Sequence, residues 1–355
     1  MLGLIITMLM LALLFASFYF AKTSKEMPKN WYELKMELLF QYIGITGLIQ
    51  DAIYRSRDRV ELYKQPGLIA VITGGNRGIG LRTVEKLLNC DITVVMGVRD
   101  PISAEAAVAD LVDLKTTGGK LICEKLDIGD MDSVTGFAKK IKERYNKVDL
   151  LINNAGIMFA PFKLTADGYE SHFAINYLGH FLLTHLLMPE LKAAGKEGKN
   201  ARIVNISSCV NLIGRINYND INGLKYYYPS TAYSQSKLAQ ILAARHLQTI
   251  LDAQSAHVQV NSVHPGIVDT DLFEYSATTS VPFVKRLFFK TPEQGSRTVV
   301  YAAIDPKVEG QGGAYFSNCG RGQMHPDAKN PEKCEKLFNY SCELLKIENF
   351  GNGNI

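Results

Sequence analysis

The sequence lacks a cysteine framework. Its six cysteines, Cys90, Cys123, Cys209, Cys319, Cys334 and Cys342, follow neither metal-ligand nor disulfide spacing. That pattern excludes a cysteine-built metal centre and a disulfide scaffold, and it fits reduced thiols in a cytosol-facing domain. No metal is expected. An excess of one charge is also missing: the formal net charge is +4 and no basic stripe stands out, so a nucleic-acid partner is not expected. A third absence is local, since no residue from Leu2 to Ala21 carries a charge. At about 1.5 Å per residue, a helix of that length crosses a hydrocarbon core. No basic residue precedes the run, and bulky Phe18, Tyr19 and Phe20 stand where a small-x-small cleavage site would be. Residues 1–21 therefore read as an uncleaved transmembrane anchor rather than a signal peptide. Lys22, Lys25 and Lys29 follow, against a single nearby acid, Glu26, which puts the rest of the chain on the cytosolic side. Residues 22–66 form a juxtamembrane segment. Within it Leu38 to Ile49 is apolar but too short to span, and suits either an interfacial helix or a segment packed on the domain.

What is present begins at Gly67. Leu68 to Ile72 is an aliphatic run suited to a strand buried on both faces, Thr73 to Gly78 is glycine-dense, and Leu81 to Leu88 returns apolar residues at helical spacing. Strand, glycine turn and helix in that order bind a dinucleotide. Gly74 permits the tight turn, Gly78 lets backbone approach the pyrophosphate, and Gly80 allows close helix–strand packing, with Asn76, Arg77 and Ile79 between them. A second strand within Asp91 to Asp100 ends on Val98 and Arg99 rather than on an acid. Arg99 and Arg77 offer two guanidinium forks to a 2′-phosphate, which favours NADP(H) while leaving NAD(H) usable. Leu121 to Ile128 gives a third strand, where Asp127 and the Ile128 backbone suit an adenine contact or a plain turn cap. Leu150 to Gly156 gives a fourth, running into Asn154, Ala155 and Gly156.

The chemistry is expected further on. Tyr233 and Lys237 sit four apart in a helical stretch, so phenol and ammonium share a face. A cation beside the phenol lowers its pKa toward the working range of a general acid or base. Arg202 to Ser208 is a fifth strand ending in two serines, at the sheet edge where open α/β folds bind ligands. Ser208 suits a hydrogen bond to a substrate oxygen, and Asn176 on the preceding helix suits a water-held proton relay.

Together Thr73-Gly-x-x-x-Gly-x-Gly80, Asn153-Asn-Ala-Gly156, Asn176, Ser208, Tyr233-x-x-x-Lys237, Pro265-Gly266 and Thr270 resemble the short-chain dehydrogenase/reductase family. The resemblance spans roughly residues 67–318. It implies an α/β Rossmann domain over 67–329: a doubly wound, seven-stranded parallel sheet with helices on both faces, preceded by the transmembrane helix and followed by a polar tail over 330–355. It further implies that Tyr233 donates or accepts the proton, that Lys237 lowers its pKa and holds the nicotinamide ribose, that Ser208 orients the substrate and that Asn176 completes the relay. Val268 and Thr270 would touch the carboxamide and pyrophosphate. The long gap from Ser208 to Tyr233, the anchor and Leu287-Phe-Phe-Lys-Thr-Pro-Glu-Gln-Gly295 are similar to the membrane-bound retinol dehydrogenase-like branch, including its polyprenol- and dolichol-linked member.

The reading that follows is an NADP(H)-dependent oxidoreductase anchored in a membrane such as the endoplasmic reticulum or a lipid droplet. It would interconvert a hydrophobic lipid alcohol, retinoid or polyprenol, with its aldehyde or ketone. Steroid or fatty-aldehyde reduction is the alternative, and a nucleotide-binding scaffold without turnover the rival from another class. Asp271 to Lys290, rich in aromatics with Lys285 and Arg286, reads as a substrate lid, either resting on a membrane or packed on its own domain. A homo-oligomer stays open.

Overall fold

Aliphatic, largely β-branched runs form the expected strands: β1 (Ile69–Thr73), β2 (Thr93–Val98), β3 (Leu121–Lys125), β4 (Leu150–Asn153), β5 (Ala201–Ile206), β6 (Val258–His264) and β7 (Tyr315–Ser317). A computed structural model describes residues 29–114, 116–273 and 289–354 of the chain, and in it these strands lie parallel in the order β3-β2-β1-β4-β5-β6-β7. Ala70 pairs with Val94 on one side and Leu150 on the other. The order reverses between β1 and β4, which opens a crevice at their carboxyl ends.

Both faces of this sheet are covered, so successive strand residues enter opposite cores. Val71 joins one cluster with Phe137, Leu182, Leu238 and Leu337, while Ile72 joins the other with Val84, Leu87 and Val299. That is why the strands read as continuous apolar runs instead of alternating ones. The covering helices include α2 (Gly78–Asn89), α4 (Met131–Arg144), α5 (Gly179–Leu186), α7 (Pro229–Ala253), α8 (Pro292–Ile304) and α9 (Pro331–Leu344), with α1 (Trp31–Ile53), α3 (Pro101–Ala109) and α6 (Met188–Ala194) at the periphery.

Two features differ from the sequence reading. The sheet has eight strands, because β8 (Gly320–Arg321) pairs antiparallel with β7. Its two-residue turn holds both Asn318 and Cys319 at φ 51°, the conformation of a tight hairpin without the Asn-Gly signal that announces one. The stretch read as a polar tail forms α9, capped by the Asn330 side chain, which accepts from Lys333 N. It packs against α5 and α7, with Phe338 stacking on Phe181 at 5.0 Å and Ser341 hydrogen-bonding Tyr177 at 2.7 Å. The Leu38–Ile49 run belongs to α1, which is packed on the domain. The anchor at 1–21 lies outside the described residues, as does 274–288 of the expected lid. Among the described residues, no helix is long and apolar enough to cross a membrane.

Candidate active site

The glycine turn between β1 and α2 sits at the crevice. Gly74 and Gly78 take φ of +65° and +56°, the left-handed region that side chains disfavour. A Cβ on Gly80 would stand 2.3 Å from the Gly74 carbonyl oxygen, so only glycine lets α2 start this close to β1. Arg77 caps α2 without a side-chain hydrogen bond to its first turn, and those amides therefore keep their capacity for an anion. Asn76 and Ile79 are half-buried beside them.

Thr73 holds the turn to the end of β4. Its Oγ1 accepts from the backbone N–H of Asn154 and of Ala155, each at 3.0 Å. The Asn154 amide donates to the carbonyls of Thr73 and Gly74, so this side chain positions the cradle from behind. The β6 loop closes over the front, where a Cβ on Gly78 would meet Thr270 at 3.2 Å, and Val268 packs with Ile79 around Gly295. The expected Gly74–Gly80, Asn154–Gly156, Val268 and Thr270 are thus brought together. Arg99 is exposed at the end of β2, and Arg77 forms an exposed ion pair with Asp271 at 3.3 Å. Asp127 accepts from Gly129 N at 3.0 Å, the turn-capping role, and is otherwise exposed, while Ile128 is buried against Gly179. Among the described residues no group of three or more His, Cys, Asp or Glu is placed to hold a metal ion.

The chemical residues line the opposite edge. Proline at the first turn starts α7, and the helix carries Tyr233 and Lys237 on one buried face. Lys237 Nζ donates to the Ile206 carbonyl at the end of β5 at 2.7 Å and lies 5.7 Å from the Tyr233 ring centre. Ser207 Oγ donates to the Lys237 carbonyl at 2.7 Å, which fixes α7 against that strand end. Ser208 caps the following turn, its Oγ accepting from Val210 N at 3.4 Å. Gly156 lies between the two edges: a Cβ there would stand 3.1 Å from Asn176 Oδ1 and 3.6 Å from Lys237 Nζ.

Burial pushes the Tyr233 phenol up, with Ser208 opposing it, contrary to the expected lowering by the lysine. The reason is geometric, because Lys237 points past the ring to a carbonyl. Burial likewise lowers Lys237 to about 7.

Asn176 sits in a π-helical turn, Ala174–Leu178, a distortion that frequently marks functional sites. Its side chain donates to the Ile157 carbonyl and Ser236 Oγ and accepts from Ile157 N. Its own carbonyl accepts from Gln240 Nε2 at 2.7 Å and bonds His180 Nδ1 at 3.3 Å. His180 was not singled out in the sequence. Its Nε2 lies 2.8 Å from Thr73 Oγ1. Since that hydroxyl already accepts two amides, its hydrogen goes to Nε2 and the neutral ring carries its own on Nδ1. Burial lowers His180 to about 3, in keeping with the neutral form. One polar chain therefore joins the glycine turn to the Asn176 helix. The i, i+4 spacing of Asn176 and His180 was the available signal.

Above Tyr233 lies α1. Ile43 joins a buried cluster with Tyr233, Met158, Cys209 and Val210. Phe40 stacks on Phe159 at 5.0 Å, and Phe159 on Tyr233 at 6.2 Å. Phe159 holds φ +57°, a left-handed conformation rare for a bulky residue. The insertion after Ser208 supplies further ties, from Tyr226 Oη to Glu33 at 2.7 Å and Tyr228 Oη to Glu37 at 3.3 Å.

Comparison with known proteins agrees with this geometry. The family model described as short chain dehydrogenase matches residues 68–280. Retinol dehydrogenase 12 of Mus musculus is 39% identical over 286 residues, covering 80% of this chain and 88% of that protein. Polyprenol dehydrogenase of Homo sapiens is 36% identical, covering 80% and 86%, and its Mus musculus counterpart is 35% identical, covering 90% and 96%. A solved structure from Mycobacterium paratuberculosis, of an uncharacterized protein, superposes with a TM-score of 0.65 at 34% identity, covering 81% of this chain and 96% of that one.

Proposed function

This chain belongs to the short-chain dehydrogenase family and is an oxidoreductase related to retinol and polyprenol dehydrogenases; we propose that it is membrane-anchored, prefers NADP(H) and interconverts a lipid alcohol with its aldehyde or ketone. The observation that carries the proposal is the placement of Tyr233, Ser208 and Lys237 opposite the glycine cradle and beneath an apolar roof. The cradle fits a dinucleotide: it has left-handed glycines, a missing Cβ at Gly80 and uncapped helix amides.

When bound, the nicotinamide supplies or accepts hydride. The α2 amides would hold the pyrophosphate, and Arg77 and Arg99 the 2′-phosphate, Asp271 having to release Arg77 from an exposed and therefore weak pair. Tyr233 is protonated near neutral pH because burial raises it, which suits donation to a carbonyl oxygen in the reducing direction. Ser208 Oγ orients that oxygen. Lys237, fixed by Ile206 and held near neutrality, is placed to hand a proton back toward the phenol. The apolar cluster around Phe40, Phe159 and Met158 excludes water and suits an isoprenoid chain. The relatives' names put retinoids and polyprenols first among substrates. Residency in the endoplasmic reticulum or on lipid droplets, with the catalytic domain cytosolic, belongs to the same proposal.

NADPH oxidation with retinal, dolichal and a steroid ketone tests it. Tyr233→Phe is expected to lower kcat about 10³-fold while leaving cofactor binding by fluorescence intact. Equal turnover by the variant would overturn the mechanism. Cofactor binding with no turnover on any substrate would leave a nucleotide-binding scaffold.

A further inference from the structure

α1 has two faces that differ in what covers them. At about 100° per residue, Met36, Phe40, Ile43, Gly47 and Asp51 share the face toward the domain. Met36 and Ile43 are buried, Gly47 stands close enough to Cys209 and Ile267 that an added Cβ would touch both, and Asp51 accepts from Ile267 N at 2.9 Å. The opposite stripe holds Trp31, Leu38, Tyr42 and Ile53, exposed by 76%, 43%, 50% and 66%. A helix fixed to its domain on one side and apolar on the other has, among the described residues, no partner covering its outer stripe.

We propose that this stripe lies on the surface of a lipid bilayer, so that α1 is at once the membrane-facing wall and the roof under which a lipid reaches Tyr233. The proposal rests on the membrane-anchored reading above and extends it to a named surface. Two observations select a bilayer over a protein partner. The charge-free run Leu2–Ala21 ends shortly before α1 begins, which tethers the helix near whatever that run enters. The stripe combines Trp and Tyr with aliphatics and one exposed cation, Lys35, and cations flank it at both ends, Lys29 ahead and exposed Arg55, Arg57 and Arg59 behind. That is the composition of an element at the level of anionic headgroups.

Trp31 is the chain's single tryptophan, which makes the test direct. The full-length protein is reconstituted in vesicles of phosphatidylcholine and phosphatidylserine with brominated acyl chains, and tryptophan quenching is read against unbrominated vesicles. Three proteins are compared: the native chain, Trp31→Phe with Tyr42→Trp, and Trp31→Phe with Phe40→Trp, each first shown to unfold cooperatively. The expected result is at least twofold quenching with a blue shift at positions 31 and 42, and no quenching at 40 on the inner face. Quenching at 31 alone means that only the junction with the anchor touches lipid, and overturns the proposal. Quenching at all three positions overturns it as well, because α1 would then have left the domain. A protein that fails to sediment with the vesicles overturns both this and the anchored reading, whereas one that sediments with position 42 unquenched overturns this one alone.

Discussion

The glycine wall of the cleft and the α1 wall face one another across Tyr233 but are held by different forces. On the glycine wall, backbone meets backbone: Thr73, Asn154 and Gly80 bring β1, β4 and α2 into contact through hydrogen bonds and a missing side chain. On the α1 wall, aromatic and aliphatic side chains from segments far apart in the chain share one cluster, and the polar ties run from tyrosines to half-buried or buried glutamates. Contacts of the first kind tolerate no added atom, because backbone cannot yield. Those of the second kind can repack, as volume-conserving changes in apolar clusters do. One wall is therefore suited to holding a fixed cofactor and the other to admitting variable lipid chains.

The sharpest way to break this contrast is Gly80→Ala. Its Cβ would fall 2.3 Å from the Gly74 carbonyl and 2.5 Å from Asn154 Nδ2, so α2 must shift. We expect a loss of about 3 kcal/mol of stability in chemical denaturation, together with loss of cofactor binding. A variant of unchanged stability would show that this wall also repacks.

Next in size is Arg77→Ala combined with Arg99→Ala. Charge-assisted bonds to a phosphate contribute about 2 kcal/mol, so the NADPH Kd should rise about 30-fold while that for NADH moves little. Equal weakening of both in a titration would place phosphate recognition elsewhere on the glycine wall.

A smaller effect probes the far end of the α1 wall. His264, at the end of β6, is buried near Asp51 of α1 and near Lys290, and both its ring nitrogens lack a partner among the described residues. Burial lowers it to about 4, with Asp51 opposing and Lys290 reinforcing. The unfolded chain then takes up the proton first as pH falls below the ordinary value of about 6.5. Stability from this group is whole above that value and drains away down to pH 4, amounting to about 1.4 kcal/mol between pH 7.5 and 5.5. His264→Met should flatten urea midpoints across that range by this amount; an unchanged slope would assign the acid sensitivity to another group.

The two walls also differ in how much the sequence disclosed. The glycine wall was legible because its parts are local: a strand, a turn and a helix within Gly67–Leu88, then short signatures at Asn153–Gly156 and Tyr233–Lys237. Its element order follows the expected one and Thr73, Gly74, Gly80 and Asn154 meet at its centre, since backbone geometry dictates residue type there. What escaped were contacts that depend on neighbours distant in sequence. His180 bonds Thr73 across 107 positions, and the raised Tyr233 follows from burial among residues of α1 and of the Phe159 segment. Neither β8 nor the docking of α9 has a local pattern, the first because Asn-Cys replaces a turn glycine, the second because half of that helix is polar.

The smallest effect sets the contrast most cleanly, because it repeats the first substitution on the other wall. Gly44 lies inside α1, where a Cβ would meet nothing within 4 Å. Its backbone is helical, so alanine adds no strain, and it reduces the conformational freedom of the unfolded chain. Gly44→Ala should therefore raise stability by about 0.5–1 kcal/mol, measured as a higher urea midpoint with an unchanged slope. The same methyl group thus has opposite signs on the two sides of Tyr233. If Gly44→Ala is destabilising instead, α1 is packed as tightly as the glycine turn, and the division between a fixed wall and an adaptable one fails.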